Sequence, residues 1–113
     1  MEKPKIGAVG WHDLTVPDAE RIKDFYTRVV GLDSAPVDMG GYSDFSMLPP
    51  GGGDAVAGVC HARGENANLP PQWILYFIVE NVERSAQACV DGGGELISPI
   101  LKAGAASYCV IKD

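Results

Sequence analysis

Three things are scarce in this chain, and each scarcity removes a class of function. Basic residues are few: nine Lys and Arg stand against fifteen Asp and Glu, a formal net charge of −6 over 113 residues, and they form no cluster. Nucleic-acid binding draws most of its free energy from neutralised phosphates, so this balance argues against it. Long apolar runs are missing as well, with no stretch approaching the roughly 18 residues of a membrane span and no basic leader followed by an apolar segment. Cysteine is limited to Cys60, Cys89 and Cys109, an odd number set inside apolar runs, with neither CxxC spacing nor a neighbouring pair of ligand histidines. These absences together predict a cytoplasmic protein with reduced thiols, no membrane contact and no nucleic acid. Its expected partner is a small molecule or another protein. With 46% hydrophobic residues, one domain spanning 1–113 should bury roughly two thirds of its unfolded surface without disulfide support.

What the chain does have is a repeat. A shift of 63 positions (79 minus 16) carries Val16, Glu20, Arg21, Gly31, Pro36 and Gly41 onto Val79, Glu83, Arg84, Gly94, Pro99 and Gly104. The matched residues punctuate a fold: the end of an apolar run, the first turn of a helix, a glycine stop, a strand and its turn. A duplicated supersecondary unit follows.

In the first copy, residues 6–16 have strand character, and Asp18 offers an oxygen to the free N–H groups of a helix with Glu20 near its positive end. Ile22, Phe25, Tyr26 and Val29 recur at helical spacing as one apolar face, and Gly31 supplies the left-handed stop. Strands are predicted near 33–38, 42–48 and 55–62, separated by Gly40-Gly41 and by the Pro49-Pro50-Gly51-Gly52-Gly53-Asp54 loop. That makes module one, 5–62, a βαβββ unit. A polar, proline-bearing linker, 63–71, leads to module two, 72–113. There 72–80 is a strand, Asn81 caps a helix with Val82, Ala86, Cys89 and Val90 inward, and Gly92 to Gly94 end it. Strands near 95–101 and 107–112 follow. The counterpart of 55–62 would fall at 118–125, so one strand required by the repeat is expected to be missing from module two. One helix cannot cover both faces of a four-stranded sheet, so each module should leave a concave face open as a ligand cup.

Leu14-Thr15-Val16-Pro17-Asp18, Phe25-Tyr26 and Gly31-Leu32 resemble the "L-x-V-x-D … FY … GL" signature of the vicinal oxygen chelate superfamily, which includes glyoxalase I, bleomycin and fosfomycin resistance proteins and extradiol dioxygenases. Phe77-Ile78-Val79-Glu80-Asn81-Val82 and Gly92-Gly93-Gly94-Glu95 look like its second-module motif. Trp11-His12-Asp13-Leu14 is similar to the branch related to lactoylglutathione lyase. The resemblance covers nearly the whole chain. It implies an α+β fold in which two tandem βαβββ modules form a cupped, barrel-like mixed sheet. It also implies a divalent ion chelating two substrate oxygens from mid-strand positions. Those positions fall here on Trp11, Ile74 and Gly58, with the last on the missing strand; none is a ligand, so no metal and no cofactor are expected.

Strand alternation and the pairing of first and fourth strands that the resemblance implies place Trp11, Asp13, Thr15, Asp44, Ser46, Val56, Gly58 and Cys60 on the open face of copy one. Ile74, Tyr76, Ile78, Ser107 and Cys109 take that face in copy two. A small organic ligand would meet an aromatic platform at Trp11 or Tyr76 and hydrogen bonds from Asp13, Asp44 or Ser46, with Cys60 and Ile74 nearby. The competing reading of Trp11 and Tyr76 is packing inside a closed barrel or a dimer interface. His12 and His61 fall on the helix side, where they are structural, or form a relocated metal or acid–base pair if a β-bulge re-aims them. Cys60 reads as a buried thiol, because His61 next to it points the other way. The glycine runs 51–53 and 92–94 read as turns, and 65–68 as linker or lid. Three functions remain open: a metal-independent ligand-binding protein working as a homodimer, a lyase, isomerase or dioxygenase recruiting His12, His61 or Asp13, and a subunit that completes a partner's sheet.

Overall fold

A computed structural model describes residues 5–113. They divide into a unit spanning Val9–Phe77 and a second made of the residues up to Ala8 with Ile78–Asp113. The first unit runs β1 (Val9–Val16), α1 (Ala19–Val30), β2 (Asp33–Asp38), β3 (Ser43–Leu48), β4 (Ala57–His61), one 3-10 turn (Gly64–Asn66) and β5 (Trp73–Phe77). The predicted punctuation of α1 is present. Asp18 Oδ1 accepts the Arg21 N–H at 3.2 Å, and Gly31, at φ 86°, gives its N–H to the Thr27 carbonyl. The left-handed turn at Gly31 ends the helix after that bond, and a side chain there would be strained.

α1 packs on Leu14, Val16, Met47, Ala57 and Val59, with Ile22, Tyr26 and Phe45 closing over them. Phe25 and Val29, predicted to share the inward stripe, are 53% and 62% exposed. α1 is turned so that Ala19, Ile22 and Tyr26 meet the sheet, which leaves Phe25 and Val29 on the flank of the apolar stripe.

The sheet has the order β2-β3-β4-β1-β5. β1 and β4 are parallel, with Asp13 beside Gly58 and Val16 beside His61, as a strand, helix crossover and returning strand require. The β3–β4 pair is antiparallel, with Ser46 opposite Gly58. β5, although it belongs to the second repeat, pairs antiparallel with β1, Trp11 facing Tyr76 and Asp13 facing Ile74, and the register slips by one residue between Val9 and Trp11. That slip is a β-bulge at Gly10, where one strand carries an extra residue. Within this ladder His12 sits directly opposite Leu75. Residues 12 and 75 are also images under the 63-residue shift, so a local two-fold axis passes through the pair.

Among the described residues the sheet is open, with β2 and β5 as its two outer strands, and the expected barrel-like closure is not found. Pro36 is tolerated inside β2 because an outer strand has one edge that needs no N–H donor.

In the second unit, α2 (Val82–Asp91) is capped as predicted, Asn81 Oδ1 accepting the Arg84 N–H at 2.9 Å. Of its predicted inner face Ala86 is buried, whereas Val90 is 50% exposed. The two strands expected after α2 appear as β6 (Glu95–Leu96), β7 (Leu101–Ala103), β8 (Ala106–Tyr108) and β9 (Ile111–Lys112), pairing β6 with β9 and β7 with β8. This is one hairpin split at Ser98-Pro99, the image of Pro36. Around the split, both the Ile97 and Ser98 N–H groups reach the Val110 carbonyl, and Ser98 Oγ accepts the Val110 N–H at 2.9 Å. No helix among the described residues is long and apolar enough to cross a membrane.

Candidate functional site

The register gathers the predicted residues of β1, β3, β4 and β5 on the face opposite α1. Trp11, Asp13 and Thr15 of β1 alternate with the helix-side residues Leu14 and Val16. The β4 neighbours of Asp13 and Thr15 are Gly58 and Cys60, and continuing the β3–β4 register from Phe45 and Val59 sets Asp44 beside Cys60. The face is less open than the sequence suggests: Thr15 and Asp44 are buried, and Trp11, Asp13, Ser46, Cys60, Ile74 and Tyr76 are half-buried. Val56 lies just outside β4, 44% exposed. Ile78, Ser107 and Cys109 belong to the second unit.

Two carboxylates organise the face. The Trp11 indole N–H donates to Asp13 Oδ1 at 2.6 Å, a short charge-assisted bond. A Cβ built at Gly58 would overlap Asp13 Oδ1 and stand 3.6 Å from Trp11 Cζ2. Gly58 is therefore a seat for the side chains of the neighbouring strand. Burial pushes the Asp13 carboxyl above its ordinary range, the Trp11 bond pulling it down and the nearby Asp44 charge pushing it further up.

Asp44 is the second hub. Its Oδ1 accepts the His61 backbone N–H at 2.8 Å and lies 3.3 Å from His61 Nδ1. Cys60 is held as a thiol well above its ordinary value, first by burial, then by the Asp13 and Asp44 charges and a hydrogen bond to Asp44. A thiolate flanked by two carboxylates is a poor prospect, so Cys60 is unsuited to nucleophilic attack.

The two histidines do not meet. His61 lies opposite Val16, four residues along from His12, roughly 13 Å at strand rise. His12 is exposed, with Nδ1 3.1 Å from the Val56 carbonyl. The Gly10 bulge falls before Trp11 and leaves the alternation from Trp11 onward unchanged. Sequence reasoning missed the company His61 keeps: the Tyr42 ring meets it edge-on at 5.5 Å, and Arg63 stacks over Tyr42 at 3.9 Å. Arg63 as the first linker residue, one beyond the strand end, was the available signal. A shallow depression on α1, lined by Arg21, Ile22, Asp24, Phe25 and Arg28, contains none of the predicted residues.

The family model for the Glyoxalase/Bleomycin resistance protein/Dioxygenase superfamily matches residues 5–113. The chain belongs to this superfamily. It is also similar to proteins named "Putative glyoxylase CFP32" of Mycobacterium bovis and Mycobacterium tuberculosis, each 34% identical over 101 residues, covering 87% of this chain and 38% of the relative. The chain thus spans well under half the length of these curated relatives.

The superfamily resemblance implies a divalent ion, and the residues at its expected positions can be tested against that chemistry. The Trp11 N–H is a donor already committed to Asp13, Gly58 has no side chain, and Ile74 is a hydrocarbon facing Asp13 across the ladder. A divalent cation needs oxygen, nitrogen or sulfur lone pairs, which none of the three side chains supplies. Among the described residues no three His, Cys, Asp or Glu come together in a way that would hold a metal ion.

Proposed function

We propose that this superfamily domain binds a small organic molecule on the sheet face opposite α1, without a metal ion at the Trp11, Gly58 and Ile74 positions. The observation that carries the reading is the Trp11–Asp13–Gly58 arrangement. An aromatic ring and a carboxyl group are locked to each other by a 2.6 Å bond, over a residue that leaves room for both. Such a pair offers a ligand a flat apolar surface and a fixed polar contact. Asp44, Ser46, Cys60, Ile74 and Tyr76 complete the surroundings. Three free cysteines support a cytoplasmic setting.

The test is a thermal-shift and calorimetric screen of aromatic and amine-bearing small molecules in the presence of a chelator. At least one compound should stabilise the protein, and Trp11→Ala should remove the effect. Stoichiometric zinc, nickel, manganese or iron in the purified protein, lost on Asp13→Ala or His12→Ala, would overturn the proposal.

A second reading, a superfamily enzyme using acid–base chemistry, is favoured by the Asp44–His61 pair. A buried carboxylate 3.3 Å from Nδ1 fixes the ring as a donor on that side and leaves Nε2 as the basic nitrogen. Turnover of any ligand found in the screen, abolished by His61→Gln with binding retained, would establish it over simple binding.

A further inference from the structure

We propose that the ligand site continues past the end of β4, where Arg63, laid over the Tyr42 ring, binds a carboxylate group of the small molecule. The proposal rests on the reading of the sheet face as a ligand site and adds a chemical class: an organic acid with an apolar body. A run of measured contacts ties Arg63 to that face. Asp44 Oδ1, buried on the face, lies 3.3 Å from His61 Nδ1 and accepts the His61 backbone N–H at 2.8 Å, which holds the imidazole in place. The Tyr42 ring meets that imidazole edge-on at 5.5 Å, and the Arg63 guanidinium carbon stands 3.9 Å from the centre of the Tyr42 ring.

The charge on Arg63 is left over. Acids outnumber bases fifteen to nine in this chain, yet among the described residues the Arg63 guanidinium meets no carboxylate and no hydrogen-bond acceptor. Asp44 does not need it, being already engaged by His61. A guanidinium resting on an aromatic face keeps its N–H donors at its rim, in the forked geometry that matches a carboxylate. The ring also orders a long side chain in advance, so less freedom is lost when an anion arrives. Electrostatics fix which end of the face an acid can use. Asp13 and Asp44 repel an anion from the middle, whereas Arg63 attracts one at the end. Asp13 lies beside Gly58 and His61 is three residues further along β4, roughly 10 Å at strand rise. A ligand with its apolar body on Trp11 and its carboxylate on Arg63 must therefore span at least that length.

Calorimetric titration with phenyloctanoate, which is long enough, and with uncharged phenyloctanol tests this, circular dichroism confirming that each variant is folded. The acid should bind about tenfold or more tighter than the alcohol, as a charge-assisted forked contact provides. Arg63→Gln should bring the acid down to the level of the alcohol and leave the alcohol unchanged. Arg63→Lys, which keeps the charge and loses the fork, should recover only part of the difference. Arg28→Gln, which removes an exposed charge on α1, should alter neither. Equal affinity for acid and alcohol, indifference of the acid to Arg63→Gln, equal weakening by Arg28→Gln, or no binding of the acid would each overturn the proposal. Acid binding lost on Arg63→Gln but untouched by Trp11→Ala would support the Arg63 contact and overturn the ligand site at Trp11, and the reverse pattern would overturn the Arg63 contact alone.

Discussion

Gly58→Ala probes the arrangement on which the proposed site rests. The added methyl would coincide with Asp13 Oδ1 and come within 3.6 Å of Trp11 Cζ2. Forcing one methyl into filled space costs about 1–3 kcal/mol. Escape by rotating Asp13 away forfeits its 2.6 Å bond to the indole, and a hydrogen bond to a charged group is worth about 1.5–3 kcal/mol, so both routes lead to about 2 kcal/mol. Alanine is easier than glycine to hold in a strand, which returns about 0.5 kcal/mol. The net loss is about 1.5 kcal/mol, or about 6 °C in Tm for a chain of this length. Urea unfolding should show a lower midpoint with an unchanged slope. The decisive measurement is the double-mutant cycle: with Asp13→Ala in place the space is vacated, and Gly58→Ala should then cost less than about 0.5 kcal/mol. Additivity within about 0.5 kcal/mol would refute the claim that Gly58 is a seat for Asp13.

Three further outcomes are expected. Because burial raises the Asp13 carboxyl in the fold, its ionised form is the disfavoured one; the penalty is absent below the ordinary carboxylate pKa of about 3.9 and grows as pH climbs through the raised value. Asp13→Asn should therefore gain stability relative to wild type between about pH 4 and pH 7 in urea titrations, and a difference independent of pH would contradict this. Asp44→Ala strands the His61 N–H, bonded at 2.8 Å, and should cost about 1–3 kcal/mol, whereas Asp44→Asn, which keeps an acceptor, should recover most of it by the same assay. Asp18→Ala and Asn81→Ala each remove a helix cap and should lower stability by about 1 kcal/mol apiece; circular dichroism melts of the two single variants measure it.

The parts of this molecule set by local chemistry were legible in its sequence. Asp18, Gly31 and Asn81 announce helix ends because their side chains, or the lack of one, satisfy specific backbone groups. Alternation from Trp11 to Thr15 names the residues of one face, since a strand offers only two directions. What the sequence could not supply was anything decided by which strands pair and in what register. Phe25 and Ile22 have the same spacing logic, yet one is exposed and the other is covered, because only packing against the sheet fixes how α1 is rotated about its own axis. His12 and His61 fall on nominally the same side, and only the parallel register separates them by four residues. The Asp44–His61 contact spans the β3–β4 ladder, so no local pattern foretells it. Pro99 splits a hairpin where Pro36 sits within a continuous strand, a difference of pairing context with no difference of residue.

The axis through residues 12 and 75 singles out one place in the chain. Everywhere else along the β1–β5 ladder a residue touches the image of some other position, so the two halves drift under separate pressures. At the axis a side chain confronts its own descendant position, and a substitution on either strand is felt at once by its counterpart. The imidazole of His12 against the isobutyl group of Leu75 is thus the pair at which the unlikeness of the two halves becomes a direct contact, polar on one side of the axis and apolar on the other.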